Sequence, residues 1–531
     1  MKSPKFILLL TFVLLFFAAL TGRLIYIQII KGDFYKALAQ GMHSLGSTVK
    51  TERGEIFFKN HEPLAINKNW PIVWALPKNV QNHELVAQKL SNILQLPQDL
   101  ILDRIKRDKP YVALKSSLSD EEVKLIQEAN LPGIYFDSER GRYYPQETMG
   151  SQVSGFWGGE KSGQYGLEEY YDQTLMPNEK DGQSLSLTID YEIQFQAEKL
   201  LREAKENENI DMKSGTIIVI EPDTGKILAM ANYPNFNPND YRETAGQGLG
   251  VFQNEATQKT YEPGSVFKPI TMAIALNEEK VTPETTYTDK GFVKIGGWTI
   301  NNYDNRVYGE VSMTTVLEQS INTGMIFTEG KIGHNIFLDY IEKFGFFEKT
   351  GIDLNESLSE NKEFKKGYEI NFATASFGQG IEITPIQLIK AYCALANGGK
   401  LVKPYIVEKI LDKDKVISET KPEVAEKPII SPQTSRQITT MLVSVTTNGI
   451  AKKAQVPGYY VAGKTGTALI PYSILGEPGK GYSDKTWQSF VGYLPAYNPK
   501  VVILVKLDQS KTRTSEFSAI PMFQKMAQFI V

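Results

Sequence analysis

One cysteine and four histidines in 531 residues leave little material for several common chemistries. A lone thiol, Cys393, permits no intrachain disulfide, so cysteine usage neither supports nor opposes an oxidising compartment. It lies in the apolar run Ala391-Tyr392-Cys393-Ala394-Leu395, where a small buried hydrophobe is expected rather than a reactive thiol. Among His43, His61, His83 and His334, only His334 falls in the C-terminal part of the chain, so a Ser-His-Asp triad there would rest on it alone. Its setting, Gly333-His334-Asn335, reads as a surface loop away from any serine elbow. A zinc hydrolase is equally short of ligands, and no metal or cofactor is expected. Charge of one sign is not in excess either: Lys+Arg 58 against Asp+Glu 61 leaves a net charge of −3. No global positive field is available for nucleic acid, which is set aside as a partner. Internal repeats and low-complexity tracts are lacking too.

What is present is an ordinary globular composition, 41% hydrophobic and 22% charged, in a chain too long for one compact core. Two or three folded units are expected. One long apolar run stands out, Phe6 to Gly22, which follows Lys2 and Lys5 and continues into Leu24 to Ile30. With Arg23 snorkelling and no small-x-small cleavage site before it, this predicts an uncleaved transmembrane anchor over 6–30. The flanking lysines then place a cytoplasmic tail, 1–5, inside and the rest of the chain outside the cytoplasmic membrane, a single-pass arrangement.

From Lys31 to Gly182 the pattern is mixed, with a strand predicted at Gly54 to Phe58 and a helix at Asp120 to Ala129. A second unit starts near Ser184, where LSLTID reads as a strand and Tyr191 to Lys205 as a helix. Thr216 to Ile220 and Lys226 to Met230 flank the turn sequence Glu221-Pro222-Asp223-Thr224-Gly225 and predict a hairpin. Helices follow at Val266 to Leu276 and Pro385 to Asn397. Strands are predicted at Tyr459 to Ala462, Gln488 to Tyr493 and Val501 to Leu507, with a closing helix at Pro521 to Val531. Leu469 to Thr486 gives no readable structure. Strands at both ends with helices between them imply an α/β (α+β) layer structure, an antiparallel sheet covered by helices.

The chemistry sits in three short groupings. Ser265-Val266-Phe267-Lys268 follows Pro263-Gly264 and runs into an apolar helix, which places Ser265 at a helix N-terminus. At i and i+3 its hydroxyl and the Lys268 amine share a face, so a neutral lysine could take the serine proton. Neutrality near pH 7 requires burial or a nearby positive charge. The spacing alone is weak, because Ser47/Lys50, Ser359/Lys362 and Ser418/Lys421 share it without the turn and helix. Downstream, Ser320-Ile321-Asn322 supplies a hydroxyl and an amide, and Lys464-Thr465-Gly466-Thr467 follows an apolar strand. The order S-x-x-K, S-x-N, K-T-G is that of penicillin-binding proteins and class A β-lactamases. K-T-G also occurs at Lys349-Thr350-Gly351; the second copy, among glycines and alanines that permit close backbone approach, is assigned to the site.

TYEPGSVFKPIT, QSINTGM, ASFGQGIEITPIQL and VAGKTGTA closely resemble the catalytic blocks of class B penicillin-binding proteins. Arg142-Tyr143-Tyr144-Pro145 and Gly166-Leu167-Glu168-Glu169-Tyr170-Tyr171-Asp172 resemble blocks of their non-catalytic pedestal. The resemblance implies a pedestal domain of the dimerisation type over 31–183 and a serine β-lactamase-like transpeptidase domain over 184–531. It implies Ser265 as acylated nucleophile, Lys268 as its base, Ser320 and Asn322 as relay and orienting groups, and Lys464 with Thr465, Gly466 and Thr467 at the substrate carboxylate. The Ser265 and Thr467 amides would form the oxyanion hole. The implied reaction cross-links peptidoglycan stem peptides with release of terminal D-Ala, and β-lactams would acylate the same serine. Implied partners are a membrane glycosyltransferase and division or elongation proteins; the Tyr-Glu-Pro-Gly-Ser block is closer to the division branch. A D,D-carboxypeptidase or β-lactamase on the same fold, or a non-catalytic scaffold or β-lactam sensor, remains open. Departures are Phe58, Lys59 and His61 in the block beginning Arg53-Gly54, and Asn355-Glu356-Ser357 where Pro-Gly-Glu is common. The loop Gly378-Gln379-Gly380 resembles a family loop without an assignable role.

Overall fold

The computed structural model describes residues 4–26, 28, 52–116, 118–158, 162–177, 180–246 and 248–531, apart from the side chains of 4–10. It divides into two compact units, one built mainly on Asn67–Tyr143, the other on Arg53–Ile66, Tyr144–Pro177 and Gly182–Val531.

In the smaller unit, helices His83–Leu94, Gln98–Ile105 and Asp120–Ala129 bury Val86, Leu90, Leu94, Ile101, Ile105 and Ile126 in a common core. The helix Asp120–Ala129 has the predicted bounds for a local reason. Ser119 accepts from the Glu122 amide while the Glu122 carboxylate accepts from the Ser119 amide, a capping box with acidic residues in the first turn.

The larger unit is organised on a five-stranded antiparallel sheet. Its strands are β1 (Ser214–Ile220), β2 (Ile227–Tyr233), β3 (Ala462–Pro471), β4 (Tyr482–Leu494) and β5 (Val501–Asp508), in the order β3-β4-β5-β1-β2. Every residue of β1 is buried, so its run Ser-Gly-Thr-Ile-Ile-Val-Ile shows no polar alternation. Packed with the sheet or on one another are α1 (Tyr191–Glu206), α2 (Lys268–Asn277), α3 (Asn322–Ile332), α4 (Pro385–Ala396), α5 (Pro432–Thr447) and α6 (Ala519–Ile530). The antiparallel sheet covered by helices is thus observed. Cys393 is fully buried in α4, and burial pushes its thiol up.

Arg53 and the Gly166–Tyr170 helix meet inside this unit. The Arg53 guanidinium lies 2.6 Å from Glu168 and 2.8 Å from Asp172, and Tyr144 Oη donates to Glu168 at 3.1 Å. Gly54 is required beside it, because a Cβ there would stand 1.9 Å from the Gln183 carbonyl oxygen. The departures at Phe58 and His61 do not break the following turn. The His61 amide donates to the Phe58 carbonyl at 3.0 Å, and the buried Phe58 ring packs edge-on against Tyr191.

Other expectations need correction. Among the described residues no helix is long and apolar enough to cross a membrane. The transmembrane anchor over 6–30 and the single-pass placement derived from it are therefore overturned. Residues 1–3 of the expected tail, His43 and the Ser47/Lys50 pair lie outside the described residues. His334 opens the helix His334–Lys343 rather than lying in a loop, with Nδ1 2.7 Å from Glu329 and its ring stacked on Phe372. The strand expected at Tyr459 to Ala462 begins only at Ala462 and carries the K-T-G residues within it. Leu469 to Thr486 is ordered as the ends of β3 and β4 with a short helix, Tyr472–Leu475, between them.

Candidate active site

Ser265 lies in a 3-10 turn, Gly264–Phe267, that feeds directly into α2, with Pro269 in the first helical turn. In 3-10 geometry residues i and i+3 eclipse, so Ser265 and Lys268 project from the same edge. From Tyr261 to Ile270 every residue is buried except Ser265, which is half-buried, so the turn offers one hydroxyl to solvent. The turn is built by contacts remote in sequence. Gly264 has φ +62°, and its amide donates to the Gly378 carbonyl at 2.9 Å. A Cβ on Gly378 would stand 2.2 Å from the Gly264 carbonyl oxygen. The Gly378-Gln379-Gly380 loop therefore has a structural task, holding the Ser265 turn from behind. Tyr392 Oη donates to the Val266 carbonyl at 2.7 Å and pins the turn to α4.

Lys268 Nζ is fully buried and faces Ser320 and Asn322. It donates to the Ser320 carbonyl at 2.5 Å, and lies 2.7 Å from Asn322 Oδ1 and 3.1 Å from Ser320 Oγ. Lys464 Nζ, also fully buried, lies 2.9 Å from Ser320 Oγ and 3.2 Å from Thr465 Oγ1. One hydroxyl thus bridges two lysines. Burial, and next the charge of Lys464, holds Lys268 well below the usual lysine range; burial alone brings Lys464 down to about 7. Two ammonium groups sharing so small a dry site repel, so Lys268 is the one poised to be neutral. Ser320 adopts φ +56°, a left-handed conformation unusual for a serine, and α3 begins two residues later. Asp289 and Asn302 stabilise that start: Thr323 Oγ1 donates to Asp289 at 2.6 Å, and the Thr323 amide donates to Asn302 Oδ1 at 3.1 Å.

Thr465, Gly466 and Thr467 lie in β3, paired with Phe490, Ser489 and Gln488 of β4. Gly466 allows the strand to touch the Ser265 turn: a Cβ there would stand 2.4 Å from Ser489 Oγ and 3.0 Å from a Val266 methyl. The structure thus joins Lys268, Ser320, Asn322, Lys464 and Thr465 in one hydrogen-bonded group, and packs the turn that carries Ser265 against Gly466 of the strand that also carries Thr467. The other copies stay apart. Thr350 and Gly351 donate to the Glu356 carboxylate at 2.8 and 2.9 Å, a closed turn that uses the residue replacing the common glycine. Ser359 is bonded to Glu382, and Lys362 pairs in solvent with Glu360. Sequence reasoning missed Asp289, Asn302, Tyr392 and the task of Gly378, since each acts across a long stretch of chain.

The depressed Lys464 fixes one sign. Between about 7 and the ordinary 10.5 the unfolded chain holds a proton that the native Lys464 does not. Stability contributed by this group is therefore lost as pH falls through that window and regained as it rises. The urea midpoint should climb from pH 7 toward pH ~10, and Lys464→Met should flatten that climb.

Residues 215–528 match the model of the penicillin-binding protein transpeptidase domain, and residues 48–186 that of the penicillin-binding protein dimerisation domain. Stage V sporulation protein D of Bacillus subtilis (strain 168) is 33% identical over 94% of this chain and 82% of its own length. Peptidoglycan D,D-transpeptidase FtsI of Escherichia coli (strain K12) is 28% identical over 95% of this chain and 87% of its own. Among solved structures, penicillin-binding protein 2X of Streptococcus thermophilus superposes with a TM-score of 0.71 at 22% identity, covering 90% of this chain and 79% of that one.

Proposed function

The chain belongs to the penicillin-binding protein family of peptidoglycan D,D-transpeptidases, and on that premise we propose that it works through an acyl-enzyme on Ser265. The observation that carries this is the bridging of Lys268 and Lys464 by the Ser320 hydroxyl, Lys268 lying three residues after Ser265, the one residue of its turn that reaches solvent. Neutral Lys268 takes the Ser265 proton as Oγ attacks the penultimate D-Ala carbonyl of a stem peptide. Ser320 Oγ passes a proton between the two amines, so the proton removed from Ser265 can reach the departing D-alanine nitrogen. The positive N-terminus of α2 and the Ser265 and Thr467 amides favour the developing oxyanion. Lys464, Thr465 and Thr467 receive the terminal carboxylate, with Gly466 giving it room. An amine of a second stem peptide then displaces Ser265 Oγ and completes the cross-link; β-lactams stop at the acyl-enzyme.

Intact-mass spectrometry of the full chain after exposure to a penicillin tests this. One adduct per chain is expected, absent from Ser265→Ala. A folded wild-type protein with no adduct, or an adduct retained by Ser265→Ala, would sink the assignment. Rapid loss of the adduct to water would favour the carboxypeptidase or β-lactamase outcome over transfer. Glycan polymerisation is assigned to a partner glycosyltransferase, and septal division is the favoured setting, supported by the Tyr-Glu-Pro-Gly-Ser block. The 33% identity to a stage V sporulation protein gives a second setting, spore wall synthesis. Depletion that blocks sporulation but not division would select it.

A further inference from the structure

Tyr261 and Glu262, which precede Pro263 and the Ser265 turn, each touch the hairpin arm formed by the outer ends of β3 and β4. Tyr261 packs edge-on against Trp487, with ring centroids 5.9 Å apart. Glu262, buried to 6% exposure, accepts from Tyr482 Oη at 2.8 and 3.1 Å on its two carboxylate oxygens. Tyr482 stands opposite Pro471, where the β3–β4 pairing has an irregular register. Farther out the arm is held by its own contacts: the Tyr472 amide donates to the Gly481 carbonyl at 3.1 Å, and Ser483 Oγ to the Ile470 carbonyl at 2.8 Å. The arm continues the same strand that carries Thr465 and Thr467. Any shift in its register or tilt reaches the edge where the stem peptide would lie.

From this geometry we propose that Glu262 and Tyr482 are a positioning pair, a tether that fixes the hairpin arm against the Ser265 turn and so sets the width of the substrate slot. This deepens the transpeptidase reading and rests on it. Neither residue takes part in bond making. The carboxylate links its own turn to Tyr482 of the arm through both of its oxygens. Burial lifts the Glu262 carboxyl to about 7, against the Tyr482 and Gly380 hydrogen bonds and with added repulsion from Glu382, the charged group that faces it. At pH 8 the tether is therefore in its ionised, charge-assisted form.

The test compares Tyr482→Phe and Glu262→Gln with the full-length wild type at pH 8, using two readouts. The first is amide hydrogen exchange over Tyr472 to Gly481 without ligand. The second is the split of β-lactam acylation into the reversible affinity and the limiting rate. Loss of one hydrogen bond to a charged group is expected to speed arm exchange and weaken the reversible step roughly 10-fold, the limiting rate staying within about 3-fold. Glu262→Gln, which keeps an acceptor for Tyr482, should recover part of the loss. Arm exchange and affinity unchanged in Tyr482→Phe would overturn the tether. Arm exchange faster but the limiting rate alone reduced would overturn the positioning role. If the wild type is not acylated at all, the transpeptidase reading fails, while arm exchange still decides whether the tether exists.

Discussion

Replacing Lys268 with methionine is expected to slow acylation of Ser265 by a β-lactam about 10²–10⁴-fold, the range that general-base assistance supplies. Methionine keeps the length and much of the volume of the lysine but cannot accept a proton. Its cost to the fold should be small for a reason visible in the site. On folding the buried Lys268 amine gives up the proton it holds in the unfolded chain, because burial and the Lys464 charge disfavour its ammonium form, so replacing it removes that cost. Against that stands the loss of a donor to Asn322 Oδ1 and the Ser320 carbonyl, about 1–3 kcal/mol. The two effects oppose, and the unfolding midpoint should move little while the rate collapses. Lys268→Arg separates the base from the charge, because a guanidinium stays protonated and should fail equally. Stopped-flow acylation and thermal unfolding on the same samples decide the matter. A methionine variant that acylates within about 3-fold of wild type would remove Lys268 from the base role.

The site was legible because its chemistry is written in short local strings. Ser265 and Lys268 are three residues apart, and the turn before α2 is announced by Pro263-Gly264. What could not be read locally is what holds those strings together. Gly378 matters only because the Gly264 carbonyl lies where its Cβ would be. Asp289 matters only because Thr323, beside Asn322, donates to it. The two K-T-G copies differ in partners rather than in sequence: one is closed on Glu356, the other lies in a strand between Ser489 and the Ser265 turn.

Legibility of the fold follows the same division. The helix Asp120–Ala129 carries its own capping box, so its bounds are legible to the residue. The hairpin β1–β2 is legible as two apolar runs around a turn. Helix α3 is not legible, because its buried face includes Thr323, Gly324, Thr328 and Glu329, so no apolar stripe marks it. Helix His83–Leu94 does carry one, burying Val86, Leu90 and Leu94 at helical spacing. The K-T-G segment has weak strand propensity and is held extended by β4, with Lys464 opposite Val491. At the N-terminus hydropathy alone suggested a membrane span, which the described helix does not provide.

Arg53→Met should cost about 3–5 kcal/mol, the range for breaking a buried ion pair from one side. Arg53 and Glu168 side chains are 3% and 0% exposed, and the guanidinium reaches Glu168 Oε2, the Glu168 carbonyl and Asp172 Oδ1. Taking the cation away strands a carboxylate that water cannot reach. Arg53→Lys should lose less, since it keeps the charge, yet still be clearly destabilised, because one ammonium cannot span a forked set of acceptors. The informative comparison is Arg53→Met with Glu168→Gln. Neutralising the stranded acid should return part of the loss, so the double variant is expected to be more stable than Arg53→Met alone. Urea unfolding of the four proteins measures this. If Arg53→Met lies within about 0.5 kcal/mol of wild type, the cluster is solvated in solution and the Arg53-Gly54 and Gly166–Asp172 blocks are joined by backbone contacts such as the Gly54 amide to the Leu175 carbonyl. If the double variant is worse than the single, the acid is stabilised chiefly by its other donors, Tyr144 Oη foremost, and the guanidinium acts by packing.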